Sequence, residues 1–314
     1  MLPDSFKILR DRLIFEYNGF PAPFREADYR ATTPPEEPER AKPMEIASTA
    51  IVNPRAKIAE NVAIGPFCII EDEVEIGGGT ILDSHVVIKK YTTLGENNHL
   101  HMGVLLGSDP EDKHFSGQRS YLRIGSRNVL REHSTASRGT PPDSTTVIGD
   151  DNYIMIGVHV AHNNRLGSNI VVCNNCSLGG YVEVEDGAYL SAGVLVHQFS
   201  KIGRLAMISG NTRVNLDIPP FLLASGFKVA AKGLNLVGLK RAGIGQEAVR
   251  QLKQAYRILY RSHLPLEEAL KRIESEIPSE EARHLAEFIR RSERGICREA
   301  PKKSQLFSSE DSTQ

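Results

Sequence analysis

The 314-residue sequence predicts an all-β parallel β-helix followed by a small α-helical domain. Two observations predict this order. Between residues 44 and 216 an aliphatic side chain recurs at every sixth position and glycine often follows it, whereas beyond residue 217 aliphatic side chains recur at helical spacing. A period of six matches neither a helix, with about 3.6 residues per turn, nor a strand, in which side chains alternate. It is typical of very short strands that meet at tight corners.

The six-residue period is almost unbroken. Steps of six from Ile46 to Leu106 meet eleven aliphatic residues, the same phase returns at Ile124, and steps from Ile148 to Val214 meet twelve. We expect these side chains to point into a narrow core, with the following glycine easing the corner. The repeat resembles that of left-handed β-helices, in which three hexapeptides make one triangular coil, so residues 18 apart should stack about 4.8 Å from each other.

Two polar segments interrupt the repeat, at residues 107–123 and 137–147. The expected core positions there hold Asp112, Gln118 and Pro142. Loops that leave a rigid scaffold are common places for binding groups, so we expect them to contribute to a site. For the second break, a simple solvated insertion is an equally good interpretation.

The two ends of the chain lack the six-residue repeat. Residues 1–43 contain seven of the 17 prolines, which predicts a linker-like arm, and residues 299–314 form a polar tail. A short helix within the arm is indicated by one apolar stripe, formed by Phe6, Leu9, Leu13 and Tyr17. Met44 directly precedes the first repeat, so a start of translation there is an alternative explanation for the arm.

Residues 217–298 are predicted to form the helical domain. Helical spacing is found in three stretches, with apolar residues at Val249, Leu252, Tyr256, Leu259 and Tyr260, then at Leu266, Ala269, Leu270 and Ile273, and then at Leu285, Phe288 and Ile289. Residues 201–298 hold 18 Lys and Arg against 10 Asp and Glu. That excess would attract an acidic partner or a phosphate-bearing substrate, although an ordinary solvated helical surface is the alternative.

Composition excludes several classes. With 38 Lys and Arg against 39 Asp and Glu, the chain has no general attraction to nucleic acid or to an anionic membrane. No stretch approaches the roughly 18 apolar residues of a membrane span, and no secretory signal is evident, so we expect a cytoplasmic protein. Four scattered cysteines predict reduced structural thiols, since the pair Cys173 and Cys176 has no second pair to complete a zinc site.

Three histidines lie in the longest unbroken stretch of repeat: His159, His162 and His197. A step of one coil leads from His162 to Gly180, and another leads to Gln198. A base beside a backbone N–H one layer away suits acyl transfer, because the base removes a hydroxyl proton while the N–H stabilises the oxyanion.

Several segments make a family resemblance specific. Three of them lie in the repeat, at residues 155–163 (MIGVHVAHN), 196–199 (VHQF) and 64–69 (IGPFCI), and three lie in the tail, at residues 238–241 (GLKR), 255–262 (AYRILYRS) and 291–296 (RSERGI). Together they resemble the UDP-N-acetylglucosamine O-acyltransferases that begin lipid A synthesis. The resemblance spans residues 44–298.

This resemblance implies a left-handed β-helix that forms a homotrimer, with active sites between neighbouring subunits. It implies transfer of a 3-hydroxyacyl chain from acyl carrier protein to the 3-hydroxyl of UDP-N-acetylglucosamine. No cofactor and no metal are implied, because the donor is the carrier's own thioester. The basic tail is where the acidic carrier would dock.

The resemblance also implies roles for individual residues. His162 matches the family's catalytic base and Gly180 the glycine whose N–H forms the oxyanion hole. Contacts with the sugar, the acyl group or the nucleotide are implied for Asp112, His159, His197, Gln198, Asn235 and Arg241. Gly210 matches the position that sets acyl chain length, and glycine there leaves room for a longer chain.

This chain departs from the family pattern around the substrate. Asn163 replaces the acidic residue that follows the base, and an amide can orient the imidazole without supplying a negative charge. His114 replaces a loop lysine for which Lys113 is a substitute. The remaining departures are Tyr181 for His, Lys228 for His, Ser137 for His, Val237 for Glu and Ala242 for Arg.

These departures keep three alternatives open. The first is a diverged acyltransferase with another nucleotide-sugar acceptor or acyl donor, and the second is a noncatalytic trimeric scaffold. The third is a zinc enzyme like the γ-type carbonic anhydrases. His159 and His162 should face different ways on their strand, and His197 is not in their stack, so the zinc alternative is the weakest.

Overall fold

The computed structural model describes residues 45–299. The predicted arm, its short helix, Met44 and all but the first residue of the predicted polar tail lie outside this range. Within it, one β-helix is followed by a hairpin and four helices. This is the left-handed parallel β-helix with a helical C-terminal domain that the sequence predicts.

Three parallel sheets form the sides of the β-helix, and each coil contributes one strand to each side. The first sheet contains β1 (Glu45–Ile46), β4 (Ala63–Ile64), β7 (Ile81–Leu82), β10 (His99–Leu100), β13 (Val129–Leu130), β16 (Tyr153–Ile154), β19 (Val171–Val172), β22 (Tyr189–Leu190), β25 (Met207–Ile208), β27 (Leu222–Ser225) and β28 (Ala230–Leu234). The second sheet contains β2 (Ile51–Val52), β5 (Ile69–Ile70), β8 (Val87–Ile88), β11 (Leu105–Ser108), β14 (Thr135–Ser137), β17 (His159–Val160), β20 (Ser177–Leu178), β23 (Leu195–Val196) and β26 (Arg213–Val214). The third sheet contains β3 (Lys57–Ile58), β6 (Glu75–Ile76), β9 (Thr92–Leu94), β12 (Tyr121–Ile124), β15 (Thr145–Ile148), β18 (Arg165–Leu166), β21 (Glu183–Val184) and β24 (Lys201–Ile202).

The strand register confirms that residues 18 apart stack. Ile64, for example, pairs with Ile46 on one side and Leu82 on the other. Across the first break His99 pairs with Val129, so the coil there holds 12 extra residues. Across the second break the coil holds six extra residues, because Thr135 pairs with His159. Both breaks are therefore insertions that leave the stacking of the coils intact.

The aliphatic repeat fills the core as predicted. Its members are buried from Ile64 onward, whereas Ile46 in the first coil is 41% exposed. The prediction that the following glycine eases the corner is wrong at positions such as Gly77, whose φ is not left-handed. A Cβ there would lie 2.6 Å from the backbone of Gly95, so glycine lets successive coils pack closely. The left-handed corner residue comes three positions after the core residue, for example at Asn163.

The C-terminal domain contains the three predicted helices and one that was missed. The helices are α1 (Leu236–Arg241), α2 (Gln246–Arg261), α3 (Leu266–Glu276) and α4 (Glu280–Arg290). The missed helix α1 has only six residues, too few for a period to show. Strand β27 continues the first sheet and pairs antiparallel with β28.

The helical domain packs directly onto the β-helix. Tyr256 on α2 and Cys297 belong to the same buried cluster as the repeat. Asp217 is fully buried, where its carboxylate accepts hydrogen bonds from Lys201 N at 2.7 Å and Ser292 Oγ at 2.6 Å. Burial raises the pKa of Asp217.

The four cysteines are buried free thiols, as predicted. Burial raises the pKa of Cys176 to about 11, which keeps it protonated at neutral pH. Among residues 45–299, no helix combines the length and apolar character that crossing a membrane requires.

Candidate active site

His162 occupies the corner that follows β17. Tyr181 N donates to His162 O at 3.0 Å, and one coil further on Phe199 N donates to Gly180 O at 3.0 Å. The predicted stack of His162, Gly180 and Gln198 on successive coils is therefore present. His162 is only 7% exposed, because its side chain lies along the scaffold and under the inserted loops.

Gly180 forms the floor beneath the imidazole. A Cβ at residue 180 would lie 2.5 Å from His162 Cε1 and 2.6 Å from Nε2, so only glycine lets the ring lie this close. Within residues 45–299, no hydrogen bond uses the Gly180 N–H. A base and an unused backbone donor thus occupy adjacent layers, which is the pairing that acyl transfer needs.

Asn163 determines which nitrogen of His162 carries the proton. Asn163 Oδ1 accepts from Thr140 N at 2.9 Å, so the oxygen of this amide is the atom that faces inward. The same oxygen lies 3.1 Å from His162 Nδ1, which must therefore donate. A neutral imidazole with its proton on Nδ1 has Nε2 free to accept one, as a general base must.

Asp112 lies opposite the free nitrogen. Its Oδ2 is 3.8 Å from His162 Nε2, too far for a direct hydrogen bond. Both atoms are acceptors when the imidazole is neutral, and a hydroxyl group has one proton, so a hydroxyl that donates to Nε2 is positioned for removal of that proton. Once Nε2 takes a proton, the carboxylate faces the new positive charge. Asp112 can thus supply the charge that Asn163 lacks.

The first break holds Asp112 in place. Asp112 Oδ1 accepts from the backbone N–H of His114 at 3.0 Å and from its ring Nδ1 at 2.9 Å. These two hydrogen bonds lower the pKa of Asp112, which keeps it charged. The His114 ring is otherwise exposed, as is Lys113. The structure therefore brings Asp112 to the base and leaves Lys113 at the surface.

The second break is not simply a solvated insertion, because residues 137–140 are buried and only 141–143 are exposed. Arg138, with 3% of its side chain exposed, binds Asp109 Oδ1 at 2.6 Å and Gly107 O at 3.3 Å. Its guanidinium also lies 5.1 Å from the ring centroid of Phe115. Arg138, in the second inserted segment, thus binds the first inserted segment and holds the two together. Sequence reasoning missed this residue, and its only signal was a charged residue directly after a core strand.

Aromatic side chains form one wall beside the base. The Tyr181 ring meets the His162 ring edge-on, with centroids 5.4 Å apart, and stacks on Phe199 at 4.9 Å. Burial, followed by the charge of Asp112, raises the pKa of Tyr181. Phe199 was also missed as a site residue, because an aromatic residue at a corner gives no distinctive sequence signal.

His159 lies on β17, and its Nδ1 is 2.7 Å from Thr135 Oγ1. Burial lowers the pKa of His159, the charge of Glu111 raises it, and the charge of His162 lowers it. His159 is therefore a neutral hydrogen-bonding group near the base at pH 7.

The other predicted substrate contacts are exposed at the surface. His197 and Gln198 are exposed, the ring Nδ1 of His197 is 3.0 Å from Gln198 O, and Gly210 is also exposed. Lys228 and Arg241 lie on the surface of the C-terminal domain.

Asn235, predicted to lie near the nucleotide, has a structural role in this chain. Its Oδ1 caps α1 by accepting from Gly238 N at 3.0 Å, and its Nδ2 donates to Leu205 O at 2.9 Å. A nucleotide contact by Asn235 stays a prediction.

The role of Asn163 is testable with two variants. We expect Asn163→Leu to lower kcat by at least about tenfold, because neither His162 Nδ1 nor Thr140 N would keep its acceptor. Asn163→Asp keeps both acceptors and should retain activity. Steady-state kinetics of both variants check this, and equal activity of Asn163→Leu and the unmodified chain would contradict it.

Known proteins resemble this chain in sequence and in fold. Residues 217–297 match the family model described as "Udp N-acetylglucosamine O-acyltransferase; Domain 2". The chain is 41% identical over 259 residues to the acyl-carrier-protein-dependent UDP-N-acetylglucosamine O-acyltransferase of Herminiimonas arsenicoxydans, with 81% of this chain and 99% of that protein covered. It is 44% identical over 256 residues to the protein of the same name from Thermodesulfovibrio yellowstonii, at the same coverage.

Solved structures give the same result. The UDP-N-acetylglucosamine acyltransferase of Francisella novicida superposes with a TM-score of 0.79 at 36% identity, covering 83% of this chain and 96% of that one. That of Bacteroides fragilis superposes with a TM-score of 0.77 at 37% identity, covering 81% of this chain and all of the other.

Proposed function

The chain belongs to the UDP-N-acetylglucosamine O-acyltransferase family, and from this we propose that it transfers a 3-hydroxyacyl chain from acyl carrier protein to the 3-hydroxyl of UDP-N-acetylglucosamine in the cytoplasm. The observation that carries the proposal is the pairing of His162 Nε2, free to accept a proton, with the unused N–H of Gly180 one coil away. No cofactor is needed, because the thioester is already activated.

The proposed reaction follows from these positions. His162 Nε2 removes the proton of the sugar hydroxyl while the hydroxyl oxygen attacks the thioester carbon. The oxygen of the tetrahedral intermediate accepts a hydrogen bond from Gly180 N. As the intermediate collapses, the C–S bond breaks and the imidazolium returns the proton to the leaving thiolate. Asp112 faces the imidazolium and stabilises its positive charge during the reaction.

One assay tests the proposal. Purified chain is incubated with UDP-N-acetylglucosamine and carrier proteins that bear 3-hydroxyacyl chains of increasing length, and the products are identified by mass spectrometry. We expect acylated sugar nucleotide, with preference for longer chains because Gly210 has no side chain. The absence of product from every donor with a properly folded protein would contradict the proposal.

A different acceptor is the second candidate. The side chains nearest His162 include Asn163 and Tyr181, both of which depart from the family pattern. The same assay therefore includes other UDP-sugars. Product with one of those and none with UDP-N-acetylglucosamine would favour the diverged acyltransferase. No product with any acceptor would favour the noncatalytic scaffold.

A homotrimer is supported by the contrast between the outer faces of the three sheets. The outward residues of the third sheet are mostly charged, for example Lys57, Glu75 and Arg123. The second sheet instead presents Ile51 and Leu195, which are 66% and 49% exposed. The first sheet presents Ile81, Val129, Tyr153 and Val171. Two apolar faces on one triangular prism suit a threefold assembly in which each subunit contacts two others.

We therefore expect the mass in solution to equal three chains. Light scattering coupled to size-exclusion chromatography measures it directly. A monomer at the concentrations used for the assay would contradict a site shared between subunits.

The acidic carrier is proposed to dock beside Phe227, which is 75% exposed at the turn between β27 and β28. The Arg213 guanidinium lies 4.7 Å from the Phe227 ring centroid, and Lys228 follows in the chain with its side chain exposed. An apolar centre with two cations beside it suits an acidic protein that carries an acyl group.

We expect Lys228→Glu to raise KM for the acyl carrier about three- to tenfold at low salt, because it reverses one charge of this patch. The difference should shrink as salt rises, since screening weakens attraction between exposed charges. Arg123→Glu makes the same change of charge on the third sheet and should leave KM unaltered. If both variants raised KM equally, the net charge of the protein would explain the effect, and docking at this patch would be contradicted.

A further inference from the structure

A second cluster of chemically competent side chains lies on the first sheet, away from the His162 corner. Asp83 follows β7, and His99 and His101 flank Leu100 at the end of the neighbouring strand β10, with His101 directly after it. Leu100 points into the core, so its two histidine neighbours share the outer face of the sheet. Asp83 and His101 hold the same position on successive coils. The register of the β-helix therefore brings all three side chains together.

The geometry of this cluster is close. Asp83 Oδ1 lies 3.1 Å from His99 Nε2, and Asp83 Oδ2 lies 3.1 Å from His101 Nδ1. The two imidazoles stack with centroids 4.1 Å apart, and one ligand atom from each of the three residues lies within 4.8 Å of the others. A fourth group is near, because Glu132 Oε1 lies 3.8 Å from His101 Nδ1. Among residues 45–299, no other group of three metal-binding side chains is this compact.

We propose that Asp83, His99 and His101 bind a divalent transition-metal ion on the outer face of the first sheet, on a different side of the β-helix from His162 of the same chain. Two imidazole nitrogens and a carboxylate oxygen are ligands that zinc and its neighbours prefer. Ligands of a tetrahedral zinc ion, at about 2.0 to 2.2 Å from the metal, lie about 3.3 Å from each other. The two nitrogen–oxygen separations of 3.1 Å, each to a different oxygen of Asp83, are already close to that value. The two imidazoles are stacked, so they must turn for both nitrogens to face one ion.

Glu132 is held beside this cluster by Arg131. Its two carboxylate oxygens accept hydrogen bonds of 3.0 and 3.1 Å from the Arg131 guanidinium, and Oε1 also faces His101 Nδ1.

Binding changes which nitrogen of each imidazole carries its proton. In the metal-free protein, an imidazole N–H points at each oxygen of Asp83, because a carboxylate can only accept. On binding, each neutral imidazole keeps its single proton but carries it on the other ring nitrogen, by exchange with solvent, so the nitrogen that faced Asp83 is free to ligate the ion together with the carboxylate. The ion would join the coil of β7 to the coil of β10 and should stabilise the folded chain by mass action.

The test uses the full chain without a histidine tag, stripped with a chelator and titrated with Zn²⁺ by calorimetry. We expect one zinc ion per chain and a higher unfolding temperature with zinc than without it. His99→Gln and Asp83→Asn should each weaken binding at least about tenfold and remove the thermal shift, because each loses a direct ligand. His263→Gln removes an exposed histidine on the C-terminal domain and should bind zinc normally.

Two controls keep the outcomes distinct. Unfolding of each variant in chelator shows whether the fold survives, and titration with Co²⁺ reports tetrahedral nitrogen and oxygen coordination by its visible absorption. Unaltered stoichiometry and affinity in the double variant His99→Gln, His101→Gln would place the ion elsewhere and overturn the proposal. Failure of the unmodified chain to bind zinc would overturn it as well and would identify the cluster as a hydrogen-bonded one.

Discussion

His162→Asn is expected to lower kcat by about 10³-fold, because the variant has no group that can accept the hydroxyl proton while the rest of the site remains. Gly180 N–H, Asp112 and the aromatic wall do not depend on the imidazole for their positions. KM for the sugar nucleotide should therefore alter less than kcat. Single-turnover and steady-state kinetics with mass-spectrometric detection measure both.

Two checks accompany this prediction. His263→Gln changes an exposed histidine far along the chain and should keep full activity. The unfolding temperature of His162→Asn shows whether a buried substitution has damaged the fold. If His162→Asn folded normally and kept kcat within about twofold, another group would be the base, because a positioned base contributes at least about 10²-fold.

Gly180→Ala should lower kcat by about 10²-fold while the protein stays folded. The added methyl group would lie 2.5 and 2.6 Å from two atoms of the His162 ring, so the ring must move away from its place beside Asp112 and the Gly180 N–H. The expected loss in kcat corresponds to losing the alignment between the base and the oxyanion donor. The backbone at residue 180 is not left-handed, so alanine is tolerated there.

Gly245→Ala is the matched control, because a Cβ at residue 245 meets no heavy atom within 4 Å. Both variants should unfold at temperatures close to that of the unmodified protein. The prediction fails if Gly180→Ala and Gly245→Ala have the same kcat, since the imidazole would then tolerate a methyl group beneath it.

Much of the fold could be predicted because the constraint is periodic. A residue such as Ile154 is aliphatic because every coil must fill the same narrow core, so one sequence period reports both the strands and their stacking. The same regularity made the alignment of His162 with Gly180 predictable. It did not explain the glycines, because the close approach of Gly77 to Gly95 depends on the distance between coils.

Residues in the insertions were predictable only in part. Asp112 could be proposed as a site residue, but its position opposite His162 Nε2 depends on how the first break folds back. Arg138 holds the first inserted segment in this position through its ion pair with Asp109. No sequence pattern identifies a buried arginine with such a role. Loops have no repeating constraint, so their contacts are decided by packing.

The sequence by itself determined the β-helix, the order of its coils, the helical tail and the pairing of a base with a glycine, because all of these follow from local spacing. Only the tertiary structure decided which nitrogen of His162 is free, since that depends on Thr140 reaching Asn163 from an inserted loop. It also decided that Asp83 meets His99 and His101. These contacts depend on how the chain folds back on itself, and the spacing of residues along the sequence does not predict them.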